Sequence, residues 1–203
     1  MPRLLLVRHC QSEYNLAGRF AGSGSDIDLS EGGRRQAAQL LGRLASEKID
    51  VIFSSKMKRA LVTANTIATS RNLDVVLCPE LGEINYGLVE GKTFDEVQRD
   101  YPEIARQILE ADPEISFPGG ERFTEFTDRT CRFLDRIPGF YDSQTILVVA
   151  HGGTVRTLVC RLLDIDINRH WSQFRVDNAS LTILETGRHG VIISLFNDTA
   201  YLR

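Results

Sequence analysis

A three-layer α/β/α fold with a mostly parallel central sheet is what this 203-residue chain predicts. Two observations carry that reading. Unbroken apolar runs such as Leu4-Leu5-Leu6-Val7 and Ile146-Leu147-Val148-Val149-Ala150 look like strands buried on both faces, as in parallel sheets covered by helices. Between such runs apolar residues recur at helical spacing, so strands and helices alternate and a β-α-β order follows. The length allows a full hydrophobic core in one domain, residues 1–203, with a lid-like insertion at about 84–120.

The elements follow in order. After the first run, residues 10–29 are polar and glycine-rich, long enough for a functional loop. Ser30 has the chemistry of a helix cap and Glu31 suits the positive first turn, and Ala37, Leu40, Leu41 and Leu44 then form one buried stripe. Asp50-Val51-Ile52-Phe53 predicts a strand, Ser54-Ser55 a turn and cap, and residues 57–68 a helix with Arg59 in its first turns. A third strand spans residues 74–78, and residues 80–91 hold too many glycines for a regular element. Thr93 with Glu96 is a capping-box signature. Residues 101–117 predict one helix and a loop, and Pro118-Gly119-Gly120-Glu121 turns into a long amphipathic helix. The run that ends at Ala150 leads through Gly152-Gly153 into another helix. Two β-like runs, residues 179–185 and 191–196, close the chain with Gly187 in their turn.

Composition narrows the function. The chain is 42% hydrophobic and 25% charged, close to the soluble average, which excludes disordered and collagen-like classes. A net charge of −3 argues against nucleic-acid or membrane-surface binding, which needs a basic field. The apolar run before Arg8 is too short for a signal peptide, and no stretch approaches the roughly 18 apolar residues of a membrane helix. A cytoplasmic protein is expected. The four cysteines lack the spacing of a metal site and read as free thiols.

The chemistry concentrates at strand ends. Both long apolar runs stop at a histidine, His9 after Arg8 and His151 before Gly152-Gly153, and in α/β sheets ligands bind at the carboxyl edge. Arg8 and Arg59 can grip phosphate oxygens as planar forks. A neutral His9 can attack phosphorus through one ring nitrogen while the other N–H is held by a carbonyl. His151, at a helix start, can stabilise the oxygens together with backbone amides. On this pattern alone a phosphatase and a phosphate-binding module both remain open.

Residues 6–15, Leu-Val-Arg-His-Cys-Gln-Ser-Glu-Tyr-Asn, resemble the amino-terminal signature of the histidine phosphatase superfamily, with its phosphoglycerate mutase-like fold. Ser54-Ser55-Lys56-Met57-Lys58-Arg59-Ala60 with Thr63-Ala64 resembles the second motif of that family, Glu83 with Gly87 and Glu90-Gly91 its third, and Ala150-His151-Gly152-Gly153 its fourth. The resemblance implies that His9 becomes phosphohistidine, that Glu83 donates a proton and later activates water, and that Arg8, Arg59 and His151 hold the phosphate. It implies that Asn15 supports the phosphate or the histidine. Gly22 and Gly152 join Arg8, Asn15, Arg59 and His151 as substrate-binding residues. No metal and no cofactor is implied, and the partner is a small-molecule phosphomonoester. A homodimer is left open.

Within the family the Pro118-Gly119-Gly120-Glu121 turn, the late Asn197-Asp198-Thr199 and the short segment 91–117 look more like the phosphatase branch, which includes α-ribazole phosphatases and sugar-phosphate phosphatases. A cofactor-dependent phosphoglycerate mutase is the alternative, followed by a non-catalytic phospho-ligand binder. Phe20, Tyr86, Leu88 and Trp171 are candidates to line the leaving-group pocket. One residue departs from the family pattern: Cys10 stands where glycine is usual. A thiol beside Arg8 and the phosphate is expected to have a lowered pKa and to be open to oxidation, with an inert small residue that fills the space as the alternative.

Overall fold

Alternate residues of a strand point to opposite faces, and the two long apolar runs are buried on both. Leu5, Val7, Leu147 and Val149 pack on one side, while Leu4, Leu6, Ile146, Val148 and Ala150 pack on the other. The computed structural model describes residues 3–137, 144–187 and 190–202. Among these, six strands form one sheet: β1 Arg3–Arg8, β2 Val51–Ser54, β3 Val75–Leu77, β4 Thr145–Ala150, β5 Leu181–Gly187 and β6 Gly190–Asp198. Their order is β3-β2-β4-β1-β5-β6. The pairs from β3 to β1 are parallel, and β5 and β6 are added antiparallel.

The helices are α1 Glu13–Leu16, α2 Glu31–Arg43, α3 Lys58–Thr69, α4 Phe94–Asp100, α5 Pro102–Glu110, α6 Phe123–Asp135, α7 Gly152–Leu162 and α8 Ile167–His170. Apolar residues of α2 and α3 cover the face that carries Leu5, and those of α6 and α7 cover the face that carries Leu4. A third cluster, with Ile84, Val97, Ala105, Phe117 and Phe126, forms under the 84–120 segment. That segment is fastened to itself, because Leu88 N donates to Pro118 O and Glu121 N to Asn85 O. Gly87 makes the close approach with φ +53°, where a Cβ would overlap Pro118 O.

Several caps are where the sequence puts them. The Ser30 hydroxyl accepts from Gly33 N, and Thr93 with Glu96 forms a capping box. Two local expectations fail. Gly187 is not in a turn but is the last residue of β5, paired with Gly190, because the antiparallel pairing runs further than the apolar pattern. Ser55 does not cap α3, whose N-cap is Met57 without a side-chain bond; its hydroxyl is drawn to His151 instead.

The edge of the sheet is set by register. β1 pairs with β4 through Arg8↔Ala150, so the next residues, His9 and His151, emerge side by side, and His9 N donates to Ala150 O at 2.9 Å. The start of α2 packs hard against the loop after β1, where a Cβ on Gly33 would overlap the carbonyl oxygen of Gln11. Gly33→Ala is therefore expected to destabilise the protein by about 1–3 kcal/mol, since a backbone clash cannot be relieved by a rotamer change. Thermal unfolding checks this, and an unchanged melting temperature would contradict the close approach.

Candidate active site

His9 is buried, and its orientation follows from one bond. Nδ1 lies 2.7 Å from Cys10 O, and a carbonyl can only accept, so Nδ1 carries the hydrogen and Nε2 keeps its lone pair. Burial lowers the pKa of this imidazole well below the ordinary histidine value, and Arg59 and Arg8 lower it further. The ring is therefore neutral, which leaves Nε2 nucleophilic.

His151 faces it with ring centroids 5.1 Å apart. Its Nε2 lies 2.7 Å from Ser55 Oγ, which β2 brings alongside β4. Its Nδ1 is buried with no hydrogen-bond partner among the described residues. The pKa of His151 is also well below normal, through burial first and then the charges of Arg59 and Arg8.

Both arginines are tied down by carbonyls. Arg8 donates one terminal N–H to Val176 O at 2.7 Å. Arg59, in the first turn of α3, donates to Ser25 O, Ala21 O and Gly22 O at 2.8 to 3.0 Å. Glu90 shapes the loop that supplies those carbonyls, accepting from Gly24 N and Ser25 Oγ. With their ends held, Arg8 and Arg59 each keep a buried Nε without an acceptor among the described residues. Buried donors are seldom left unpaired. Here Arg8 Nε, Arg59 Nε and His151 Nδ1 belong to the groups whose charges act on His9 or that pack against its ring.

Glu83 sits at the start of α7. One carboxylate oxygen accepts from Gly153 N at 3.0 Å and the other from Ile84 N at 3.1 Å. A Cβ on Gly153 would overlap that carboxylate, so glycine at this position makes room for it. Arg129 of α6 steadies the approach, donating to the carbonyls of Glu80, Gly82 and Glu83 while its fork holds Glu121.

Of the predicted site residues, Arg8, His9, Arg59, Glu83 and His151 lie together. Gly152 abuts Arg8 Nε, and Gly22 passes its carbonyl to Arg59. Asn15 is one step removed: its Oδ1 accepts from Ser12 N and from Asn178 Nδ2, and Asn178 also donates to His9 O. Ser55, Asn178 and Arg129 were not anticipated. Phe20, Tyr86 and Trp171 line a cavity of about 260 Å³ beside the site, but Leu88 is exposed and does not. Of the two readings of Cys10, the reactive thiol is overturned and the packing residue agrees with the structure. Its side chain is fully buried in the cluster with Leu5, Val7 and Ala60, and burial pushes the thiol pKa up to about 12. The second residue after β1 thus turns into the core layer under α3, where its N–H is held by Thr63 Oγ1, so it is protected from oxidation.

Residues 4–199 match the family model described as Histidine phosphatase superfamily (branch 1). The chain is 38% identical over 202 residues to phosphoserine phosphatase 1 of Hydrogenobacter thermophilus, covering 100% of this chain and 95% of that protein. It is 31% identical to a metal-independent phosphoserine phosphatase of Arabidopsis thaliana, covering 100% and 84%. The alpha-ribazole phosphatase from Shigella flexneri superposes with a TM-score of 0.87 at 27% identity, covering 97% and 96%.

The lowered histidine pKa values carry a pH dependence with a definite sign. Below pH 6.5 the unfolded chain takes up protons on His9 and His151 that the folded protein does not, so stability rises with pH up to that range and then levels off. Each histidine is expected to contribute up to about 1.4 kcal/mol of lost stability per pH unit below it. Urea unfolding at pH 5.5, 6.5 and 7.5 in phosphate-free buffer should show a steeper loss for wild type than for a His9→Gln, His151→Gln double variant. Equal slopes would mean that neither imidazole is held neutral.

Proposed function

The chain belongs to the histidine phosphatase superfamily, branch 1, and from that premise we propose that His9 is the nucleophile with which it hydrolyses small-molecule phosphomonoesters. The observation that carries the reading is a neutral His9 whose Nε2 keeps its lone pair, in a site where Arg8 Nε, Arg59 Nε and His151 Nδ1 are buried with no hydrogen-bond partner among the described residues. Fixed hydrogen-bond donors in a buried site stabilise the charge of a transferring phosphoryl group.

The reaction then runs in two steps. The phosphate dianion lies against Arg8, Arg59 and His151, with Gly152 abutting the Arg8 side chain and Gly22 holding Arg59 through its carbonyl. Nε2 of His9 attacks phosphorus, and the ester oxygen leaves with a proton from Glu83. The carboxylate so formed takes a proton from water, whose oxygen attacks the phosphohistidine and releases inorganic phosphate. Ser55 has a positioning role: if Nδ1 of His151 is to donate to phosphate, Ser55 Oγ–H must donate to Nε2. Asn15 and Asn178 brace the His9 carbonyl.

No step calls for a metal, in keeping with the metal-independent relative. The phosphatase names among the relatives favour hydrolysis over a mutase or a silent binder, and phosphoserine is the first substrate to test. Segment 84–120 covers the leaving-group side. The free thiols suit a reducing cytoplasm, and no described helix is long and apolar enough to cross a membrane.

Two experiments check these roles. Acid-labile phosphate should accumulate on His9 in enzyme quenched during turnover; His9→Ala should lose both this label and activity, and an active His9→Ala variant would refute the assignment. Glu83→Gln should slow phosphoserine, whose alkoxide is a poor leaving group, by about 10²- to 10⁴-fold, and p-nitrophenyl phosphate much less. Equal losses on both would remove Glu83 from the acid role.

A further inference from the structure

Arg156 lies on α7, five residues after His151, and helical side chains lean toward the amino terminus, here toward the phosphate site. Its guanidinium stacks over Trp171, with its central carbon 4.7 Å from the ring centroid. The indole is itself pinned to α7, its Nε1 donating to Thr157 Oγ1 at 3.1 Å. Arg156 forms no ion pair or hydrogen bond among the described residues, and its Nε is buried without a partner. Asp112, which lines the same cavity, accepts from Glu114 N and Gln107 Nε2 instead.

The cavity is otherwise largely apolar, walled by Phe20, Ile84, Tyr86 and Trp171. It adjoins the phosphate site: Ile84 follows Glu83, and the charge of Arg156 is felt at Arg8. An unpaired planar fork, stacked and partly dried, at the end of a small apolar pocket fits a carboxylate held by two parallel bonds. Resting on the hydrolase reading above, we propose that Arg156, clamped on Trp171, binds a carboxylate of the leaving group, so that the substrates are phosphate esters of small hydroxy acids. Lysine would keep the charge but lose both the fork and the stack.

The test compares kcat/KM for phosphoserine and for 3-phosphoglycerate, each against its own methyl ester, with p-nitrophenyl phosphate as a carboxylate-free reference. Wild type should prefer the free acid of at least one pair by about ten- to a hundredfold, the range for a hydrogen bond to a charged group. Arg156→Gln should bring that ratio close to one, with Arg156→Lys between. Turnover of p-nitrophenyl phosphate with a wild-type ratio near one on both pairs, or with neither pair accepted, overturns the carboxylate site alone. So does an unchanged ratio in Arg156→Gln or an Arg156→Lys variant that matches wild type. No turnover of any ester, p-nitrophenyl phosphate included, overturns the hydrolase reading and the carboxylate site with it.

Discussion

Two guanidinium groups share a buried space with two imidazoles, and most of the surrounding architecture answers to the cost of keeping them there. Buried charge is expensive unless it is hydrogen-bonded. The chain meets that cost with backbone carbonyls: Val176 holds Arg8, and Ala21, Gly22 and Ser25 hold Arg59. Carbonyls secure the charges without neutralising them. Glu83 is the carboxylate that acts most strongly on both arginines, so the site remains positive and suits a phosphate dianion. The same field, added to burial, discharges His9 and His151. One arrangement thus attracts the anion and frees the lone pair that would attack it.

Around that centre the sheet divides the labour. β1, β4 and β2 end side by side and deliver His9, His151 and Ser55 to one edge, while α7 begins there and offers Gly153 N to Glu83. The acid is held from behind by Arg129 on α6, whose partners are the carbonyls of Glu80, Gly82 and Glu83 and the carboxylate of Glu121, just past the covering segment. On the other side of Glu83 the lining turns apolar, through Ile84 and Tyr86 to Trp171. The phosphate end of a substrate would meet fixed dipoles and charges, and its organic end a small cavity with a single cation.

Much of this was legible before any coordinates. Strands buried on both faces must be apolar throughout, so the abrupt stops at Arg8-His9 and at His151 stood out, and parallel pairing of β1 with β4 turned two distant stops into neighbours. The Ser30 and Thr93 caps were readable because they depend on residues three apart. What escaped were contacts made by distant residues of ordinary type. Ser55 looks like any serine after a strand until β2 is seen beside β4. Asn178 and Arg129 act on the site by donating to backbone carbonyls, which leave no mark in a side-chain pattern. For Cys10 the reactive reading fails because its neighbours in sequence are charged whereas its neighbours in space, Leu5, Val7 and Ala60, are apolar. Leu88 failed in the opposite sense, as a large apolar residue that the tight Gly87 turn leaves outside.

Everything proposed for the site depends on the protonation state of His9. Long-range proton–nitrogen correlation spectra of the ¹⁵N-histidine-labelled protein, recorded from pH 5.5 to 7.5 and assigned with the His9→Gln variant, observe it directly. A neutral ring with hydrogen on Nδ1 and an unprotonated Nε2 across the whole range is the result this account predicts. A ring that titrates near pH 6.5, or one that carries its hydrogen on Nε2, would contradict it.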